Sequence, residues 1–159
     1  MTELVWITLA LPLVGVALFA IFGNKLPSRG AGLLASLIML AAFFAAAAAF
    51  ILLANEPEEH RQVSQTAWTW LSAGDFRVGF DIWYDELTAL MLLIVTGVGF
   101  LIHVFSIGYM KGDTQERRFF AYMNMFVFSM LVLVVSGNLV ELLIGWGLVG
   151  LSSYLLIGF

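Results

Sequence analysis

Residues 87–110, LTALMLLIVTGVGFLIHVFSIGYM, form a run without an acidic, lysine or arginine side chain. A helix needs about 20 predominantly apolar residues to cross the hydrocarbon core of a bilayer, so this run is long enough to span a membrane. The rest of the chain is similar in character. Of its 159 residues, 62% are hydrophobic and 11% are charged, whereas soluble domains are about half apolar and about a quarter charged. The composition therefore predicts a membrane protein.

Four more apolar runs accompany this stretch. The predicted spans are 4–23, 30–54, 87–110, 119–137 and 138–159. They indicate an all-α fold, a polytopic transmembrane helix bundle of about five spans within one membrane domain, 1–159. Pro12 lies inside the first run, where a lipid-embedded helix tolerates it. The last run has no polar exit sequence, so we expect this domain to be the N-terminal part of a longer protein.

Basic residues concentrate in two of the predicted loops and so predict an orientation. These residues are Lys25 and Arg29 after the first span, and Lys111, Arg117 and Arg118 in a charged loop, 111–118, after the third. Alternating spans place both loops on the same side of the membrane, and short basic loops are usually cytoplasmic. The pattern therefore predicts a multi-pass membrane protein with its N-terminus outside, and the family resemblance given below implies a bacterial inner membrane.

The long polar stretch 56–86 contains two segments in which apolar and polar residues alternate. Trp68 and Trp70 alternate with Thr69 on one side of Ala73-Gly74-Asp75, and residues 76–82 alternate on the other side. Period-two alternation around a Gly-Asp turn predicts a β-hairpin. We expect its tryptophans at the membrane interface, where such rings are favoured, and interpret the hairpin as a cap or a contact surface without chemistry of its own.

Several classes of site are excluded by residue counts. The chain has no cysteine and two histidines, so thiolate metal sites and iron–sulfur clusters cannot form from it and a histidine cluster is implausible. No glycine-rich nucleotide-binding motif follows a predicted strand. We therefore expect no bound cofactor and no metal in this chain.

His103 is the clearest candidate for chemistry, because it lies within an apolar span. Imidazole titrates near neutral pH, so a histidine at this place can pass protons between water molecules. A neutral ring that only packs against a neighbouring helix is the alternative. Ser106 follows three residues later on nearly the same helix face and could extend a hydrogen-bonded chain, whereas Tyr109 lies further around.

Glu141 is a weaker candidate, the one acid within the fifth apolar run. Close to the outer interface it would be a rim charge, and deeper in the membrane it would need a partner or take up a proton. Both interpretations remain open from the sequence. Asp85 and Glu86 begin the third span, where acidic side chains favour the helix dipole, so we expect them to cap that helix.

The second half of the chain resembles a known family. The motifs are Val95–His103, Tyr109-Met110, Asp113, Arg118–Tyr122, Asn124, Asn138, Gly145-Trp146, Val149–Leu151 and Ser153–Phe159. Together they are similar to the N-terminal part of subunit L of bacterial NADH:quinone oxidoreductase, called subunit 5 in mitochondrial complex I, within the antiporter-like superfamily. The resemblance is dense from 85 to 159 and looser before it.

The resemblance implies a membrane-arm subunit of respiratory complex I that translocates protons, coupled to NADH:quinone oxidoreduction, without a redox centre of its own. It implies as partners the other membrane subunits of the complex, the lipid bilayer and protons, and no nucleic acid. On this reading the chain is part of an enzyme, but we do not expect it to be catalytic alone. His103 is then a possible proton relay, at a position where the family keeps a histidine.

The sequence departs from the family at one important position. The family has a glutamate directly after the tryptophan of the fifth span, where this chain has Gly147 after Trp146. Glycine cannot bind a proton, and Glu141 lies about 9 Å away along the helix. We expect Gly147 to face the bundle interior because it shares a helix face with Gly150 and Tyr154. Two alternatives stay open: the large subunit of a multisubunit sodium/proton antiporter, and a structural, non-conducting membrane subunit.

Overall fold

The structure, a computed structural model, describes residues 1–22, 28–74 and 76–159. Its helices and strands are α1 (Thr2–Phe22), α2 (Ser28–Ala54), β1 (Val63–Ala73), β2 (Phe76–Tyr84), α3 (Glu86–Tyr109), α4 (Glu116–Val135) and α5 (Leu139–Ile157). The five helices are each long and apolar enough to cross a membrane. The predicted multi-pass helical fold is therefore confirmed. Lys25 of the predicted basic turn and Asp75 of the predicted hairpin turn lie outside the described residues.

The start of α4 differs from the prediction. The charged residues Glu116, Arg117 and Arg118, expected in a loop, form the first turn of this helix. An acidic residue in a first turn interacts favourably with the positive end of the helix dipole, so charge does not prevent the helix from starting here. The polar connection between α3 and α4 is correspondingly shorter than expected.

Each helix of the bundle packs against at least one other helix. α2 lies between α1 and α3, and α4 contacts α1 and α5. The buried face of α2 is rich in alanine, including Ala42, Ala46 and Ala49, and such small residues let membrane helices approach closely. α5 packs against α4 at Gly145, where an added Cβ would lie 2.8 Å from the backbone of Leu133. α5 thus forms one edge of the bundle.

The predicted β-hairpin is confirmed between α2 and α3. β1 and β2 pair antiparallel, with register irregularities between Thr66 and Trp68 and between Thr69 and Leu71. The Trp68 ring stacks on Phe80 with 4.8 Å between ring centroids. Trp68 is 55% exposed and Trp70 is 64% exposed, so the hairpin presents aromatic surface to its surroundings.

The second strand anchors the hairpin on the helices. Ile82 and Tyr84 are fully buried, and Ile82 forms an isolated antiparallel bridge with Ser136 at the end of α4. Burial raises the pKa of Tyr84 to about 12, so its hydroxyl stays protonated over the physiological range. The hairpin is therefore fixed to the end of the bundle where α4 gives way to α5.

Candidate functional site

His103 lies on the buried face of α3. This face also carries the buried polar residues Thr88, Thr96 and Ser106. The imidazole is fully buried, and its Nδ1 lies 2.7 Å from the carbonyl oxygen of Gly99. Since a carbonyl only accepts, Nδ1 carries the proton in this contact and Nε2 of the neutral ring is an acceptor. Nε2 is buried and has no hydrogen-bond partner among the described residues.

The first turns of α4 supply the surroundings of this ring. The Phe120 ring lies 6.1 Å from that of His103, centroid to centroid. One turn further, the Asn124 Nδ2 donates to the Phe120 carbonyl over 2.9 Å, while its Oδ1 is buried without a partner in the described structure. The side chain fits because α1 has a glycine opposite it: a Cβ on Gly15 would lie 2.5 Å from Asn124 Oδ1. Two free buried acceptors thus belong to the packed region around Phe120.

The other polar residues near His103 differ in whether they are buried beside it and whether they already have a hydrogen-bond partner. The Thr96 hydroxyl donates to the Leu92 carbonyl over 2.7 Å and is satisfied within its own helix. Ser106 is buried on the face of His103, whereas Tyr109 is 72% exposed and lies off that face. Asn124 was quoted above as part of the family pattern without a role. Its polar side chain inside a predicted apolar span was the signal that could have singled it out.

Glu141 lies in the first turn of α5 and is only 2% exposed. Its Oε2 accepts hydrogen bonds from the backbone N–H groups of Asp81 (3.2 Å) and Gly137 (3.3 Å). Its Oε1 is buried and has no partner in the part of the chain that the structure describes. The carboxylate therefore joins the hairpin and the α4–α5 turn to α5.

Asn138 completes this second polar cluster. Its Oδ1 caps α5 by accepting from the Glu141 N–H over 2.9 Å. Its Nδ2 donates to the Gly79 carbonyl at 2.9 Å and to Asp81 Oδ2 at 3.2 Å. The role of Asp81 was not predicted, because nothing in its neighbourhood along the chain indicates the contact with α5.

The structure does not bring the two candidate residues together. His103 packs beside Phe120, near the start of α4, while Glu141 lies beside Gly137, just beyond its end. At 1.5 Å per residue these places on α4 are about 25 Å apart. His103 and Glu141 therefore belong to different ends of the bundle and cannot exchange a proton directly.

The position of Gly147 differs from the expectation that it faces the bundle interior. It is exposed, and a Cβ added to it would have no atom within 4 Å. Tyr154, predicted to share its face, is 74% exposed. α5 packs through Glu141, Gly145 and Ser152 instead, and Gly147 lies about 200° around the helix from Gly145. The expectation that Gly147 faces the interior is wrong for the five helices described.

These features define a class: a multi-pass membrane helix bundle with buried titratable side chains, among them His103, Glu116 and Glu141. Within the described ranges, no three His, Asp or Glu side chains are grouped so that they could hold a metal ion. Imidazole and carboxyl side chains are groups that can each take up and release a proton.

The particular family follows from comparison with known proteins. Residues 70–120 match the family model described as NADH-ubiquinone oxidoreductase (complex I), chain 5 N-terminus. This matched segment contains β2, all of α3 and His103, whereas Glu141 and Gly147 lie beyond it. The chain is a homologue of the N-terminal part of subunit L and chain 5 proteins, and the resemblance found in the sequence is confirmed.

Three relatives show how far the similarity extends. NADH-quinone oxidoreductase subunit L of Mycobacterium tuberculosis (strain CDC 1551) is 42% identical over 158 residues, which are 99% of this chain and 25% of the relative. The Escherichia coli (strain K12) subunit L is 43% identical over 154 residues, 96% of this chain and 25% of the relative. NADH-ubiquinone oxidoreductase chain 5 of Dictyostelium citrinum is 35% identical over 154 residues, which are 96% of this chain and 22% of the relative. The chain thus spans about a quarter of the length of these relatives.

Proposed function

We propose that this chain acts in the membrane arm of an NADH:quinone oxidoreductase and contributes to proton translocation, without a redox centre of its own. The relatives are subunits named for that enzyme, and the five apolar helices suit a membrane arm. In this proposal the partners are other membrane subunits of the complex, the bilayer and protons. The N-terminus and the hairpin face the outside of a bacterial inner membrane.

One observation carries the proposal furthest: a buried imidazole with one nitrogen bonded and the other free. Because Nδ1–H donates to the Gly99 carbonyl, the neutral ring can accept a proton at Nε2 and become an imidazolium. Loss of a proton to the next acceptor restores the neutral ring. The nearby Asn124 Oδ1, also free, can accept from a water molecule and orient it, but an amide does not carry the proton onward.

A structural, non-conducting role is the second candidate, and Gly147 favours it. The family has a carboxylate at this position, whereas this chain has an exposed glycine with open space around it. In that case His103 would only pack between α3 and α4. The two functions therefore differ in whether His103 changes its protonation state during turnover.

The experiment that tests membership uses an affinity tag on this chain in its native membrane. We expect mild-detergent purification to recover NADH:quinone oxidoreductase activity with the chain, and the reconstituted material to take up protons only when NADH and quinone are supplied. Sodium-driven proton exchange without NADH would identify an antiporter subunit instead. Recovery of the chain without either activity would contradict both transport functions.

A further inference from the structure

A groove lies between α1 and α4 at the end of the bundle opposite the hairpin. It has a volume of about 410 Å³, and its lining residues are Val16, Phe19, Ala20, Thr114, Gln115, Arg117, Arg118, Ala121, Tyr122 and Met125. The apolar residues among them follow the last turns of α1 and the second and third turns of α4. The polar residues gather at one end, where α4 begins. The groove is therefore amphipathic along its length.

The polar end of the groove carries two arginines, Arg117 and Arg118. The one salt bridge among the described residues joins Arg61 to Glu86, far from this groove. Arg118 donates from Nε to the Tyr122 hydroxyl (3.2 Å) and from one terminal nitrogen to Gln115 Oε1 (3.1 Å), both neutral acceptors. Arg117 is half-buried, and its Nε has no partner in the described ranges. The exposed Arg118 guanidinium is thus bonded to neutral groups, and Arg117 lies beside it in the sequence with an unpaired Nε.

The nearest acids in sequence are engaged or turned away from the groove. Asp113 accepts from the Gln115 backbone N–H over 2.7 Å, so its carboxylate is used within the turn. Glu116 is 4% exposed and does not line the groove, but its carboxylate interacts electrostatically with Arg117, so Arg118 is the more available of the two arginines. Because arginine binds phosphate through paired N–H donors, the polar end suits a phosphodiester better than it suits a carboxylate of this chain.

We propose that this groove binds a phospholipid with an anionic headgroup, whose phosphate contacts Arg117 and Arg118 and one of whose acyl chains lies along Ala20, Ala121 and Met125. A basic pocket between membrane helices at the interface has the charge that such a lipid requires, and the apolar walls match its tail. A free phosphate ion would use only the polar end. The phospholipid places its phosphate at the polar end of the groove and an acyl chain along its apolar walls.

Native mass spectrometry of the full chain in detergent tests the proposal. Phosphatidylglycerol and phosphatidylcholine with identical acyl chains are titrated separately, and we expect one phosphatidylglycerol to be retained per chain in preference to phosphatidylcholine. Near a membrane surface each basic residue strengthens binding of an anionic lipid by a factor of about five, so Arg117→Gln with Arg118→Gln should weaken it about 25-fold. Lys111→Gln is the matched control, because Lys111 lies outside the groove and lines a different cavity.

A second pair of variants tests whether an acyl chain of the lipid lies in the groove. Ala121→Leu narrows the groove and should weaken phosphatidylglycerol binding, whereas Ala17→Leu, on the exposed surface of α1 outside the groove, should not. Circular dichroism confirms that each variant keeps its helices. The proposal is overturned if the double arginine variant binds as the wild type does, or if Lys111→Gln weakens binding equally. It is also overturned if both lipids bind alike, or if millimolar inorganic phosphate displaces the lipid.

Discussion

The regions around His103 and Glu141 both bury a titratable side chain with one free polar atom, but they hold it differently. Glu141 accepts from the backbone N–H groups of Asp81 and Gly137, which belong to β2 and to the α4–α5 turn. Among the described residues, His103 is hydrogen-bonded only to the carbonyl of Gly99 in its own helix. A group that joins separate elements stabilises the fold, whereas a group tied to its own helix can change protonation without detaching anything. The comparison separates an anchoring role from a relay role.

The largest expected loss of stability is at Glu141. Glu141→Ala leaves the buried Asp81 N–H unpaired, which costs about 1–3 kcal/mol. It also removes one of the two acceptors of the Gly137 N–H, which keeps its 3.0 Å bond to the Asp81 carbonyl, at a further cost of about 1 kcal/mol. We expect the free energy of unfolding to fall by about 2–4 kcal/mol and the hairpin to loosen where Asp81 contacts α5, while the Asn138 hydrogen bonds and the Ile82–Ser136 bridge still hold β2. Titration with SDS in mixed micelles measures the first effect, and trypsin cleavage at the exposed Arg77 measures the second.

Glu141→Gln is the matched control for this prediction. The amide keeps one carbonyl oxygen as an acceptor, so we expect a loss of about 1 kcal/mol and a hairpin that stays protected. If Glu141→Ala unfolds and is cleaved as the wild type is, the carboxylate does not anchor the hairpin.

A smaller loss of stability is expected at Gly15, where α1 packs against Asn124 of α4. Gly15→Ala places a Cβ 2.5 Å from Asn124 Oδ1, and the amide must then rotate and give up its bond to Phe120. Gly147→Ala gains the same helix propensity, but its added Cβ has no atom within 4 Å. We therefore expect Gly15→Ala to be less stable than Gly147→Ala by about 1–3 kcal/mol in the same titration. Equal stabilities would show that Asn124 is not held as described.

The smallest effect on stability is expected at Asp85, the N-cap of α3, whose carboxylate also accepts from the Trp83 indole of β2 over 3.2 Å. It caps α3 by accepting from the Thr88 N–H over 2.8 Å, as predicted from its place. Burial alone would raise its pKa, but the hydrogen bonds from Thr88 and Trp83 outweigh burial and hold the pKa below the ordinary value of 3.8. We expect Asp85→Ala to lower the free energy of unfolding by about 1 kcal/mol at neutral pH.

The pH dependence of this difference follows from the sign of the shift. A depressed pKa in the folded state means that the stabilisation is complete above the unfolded pKa and is lost as the pH falls through the folded value. The wild type and Asp85→Ala should therefore converge below about pH 4, within the range that the micelles tolerate. A difference that stays constant on acidification would show that the charged form of Asp85 is not what stabilises α3.

The helices and the hairpin were predictable because their signals are local. Each apolar run is about as long as a bilayer is thick, and the alternation around Gly74 identifies a hairpin by itself. The burial of Glu141 was not predictable, because it depends on Asp81, 60 residues away along the chain. The periodicity of α5 shows which residues share a face with Gly147, but it does not show which face packs against α4. The orientation in the membrane stays a prediction.

The rate of NADH-driven proton uptake per assembled complex, in inverted membrane vesicles, tests the relay role most directly. We expect His103→Ala to lower this rate by about tenfold or more, in line with the loss of a positioned proton-transfer group, while complex abundance stays normal. Thr96→Val should leave it unchanged, since that hydroxyl is bonded within its own helix. Glu141→Gln should also retain most of the rate. Wild-type proton uptake in His103→Ala at normal abundance would contradict the account and leave His103 as a packing residue.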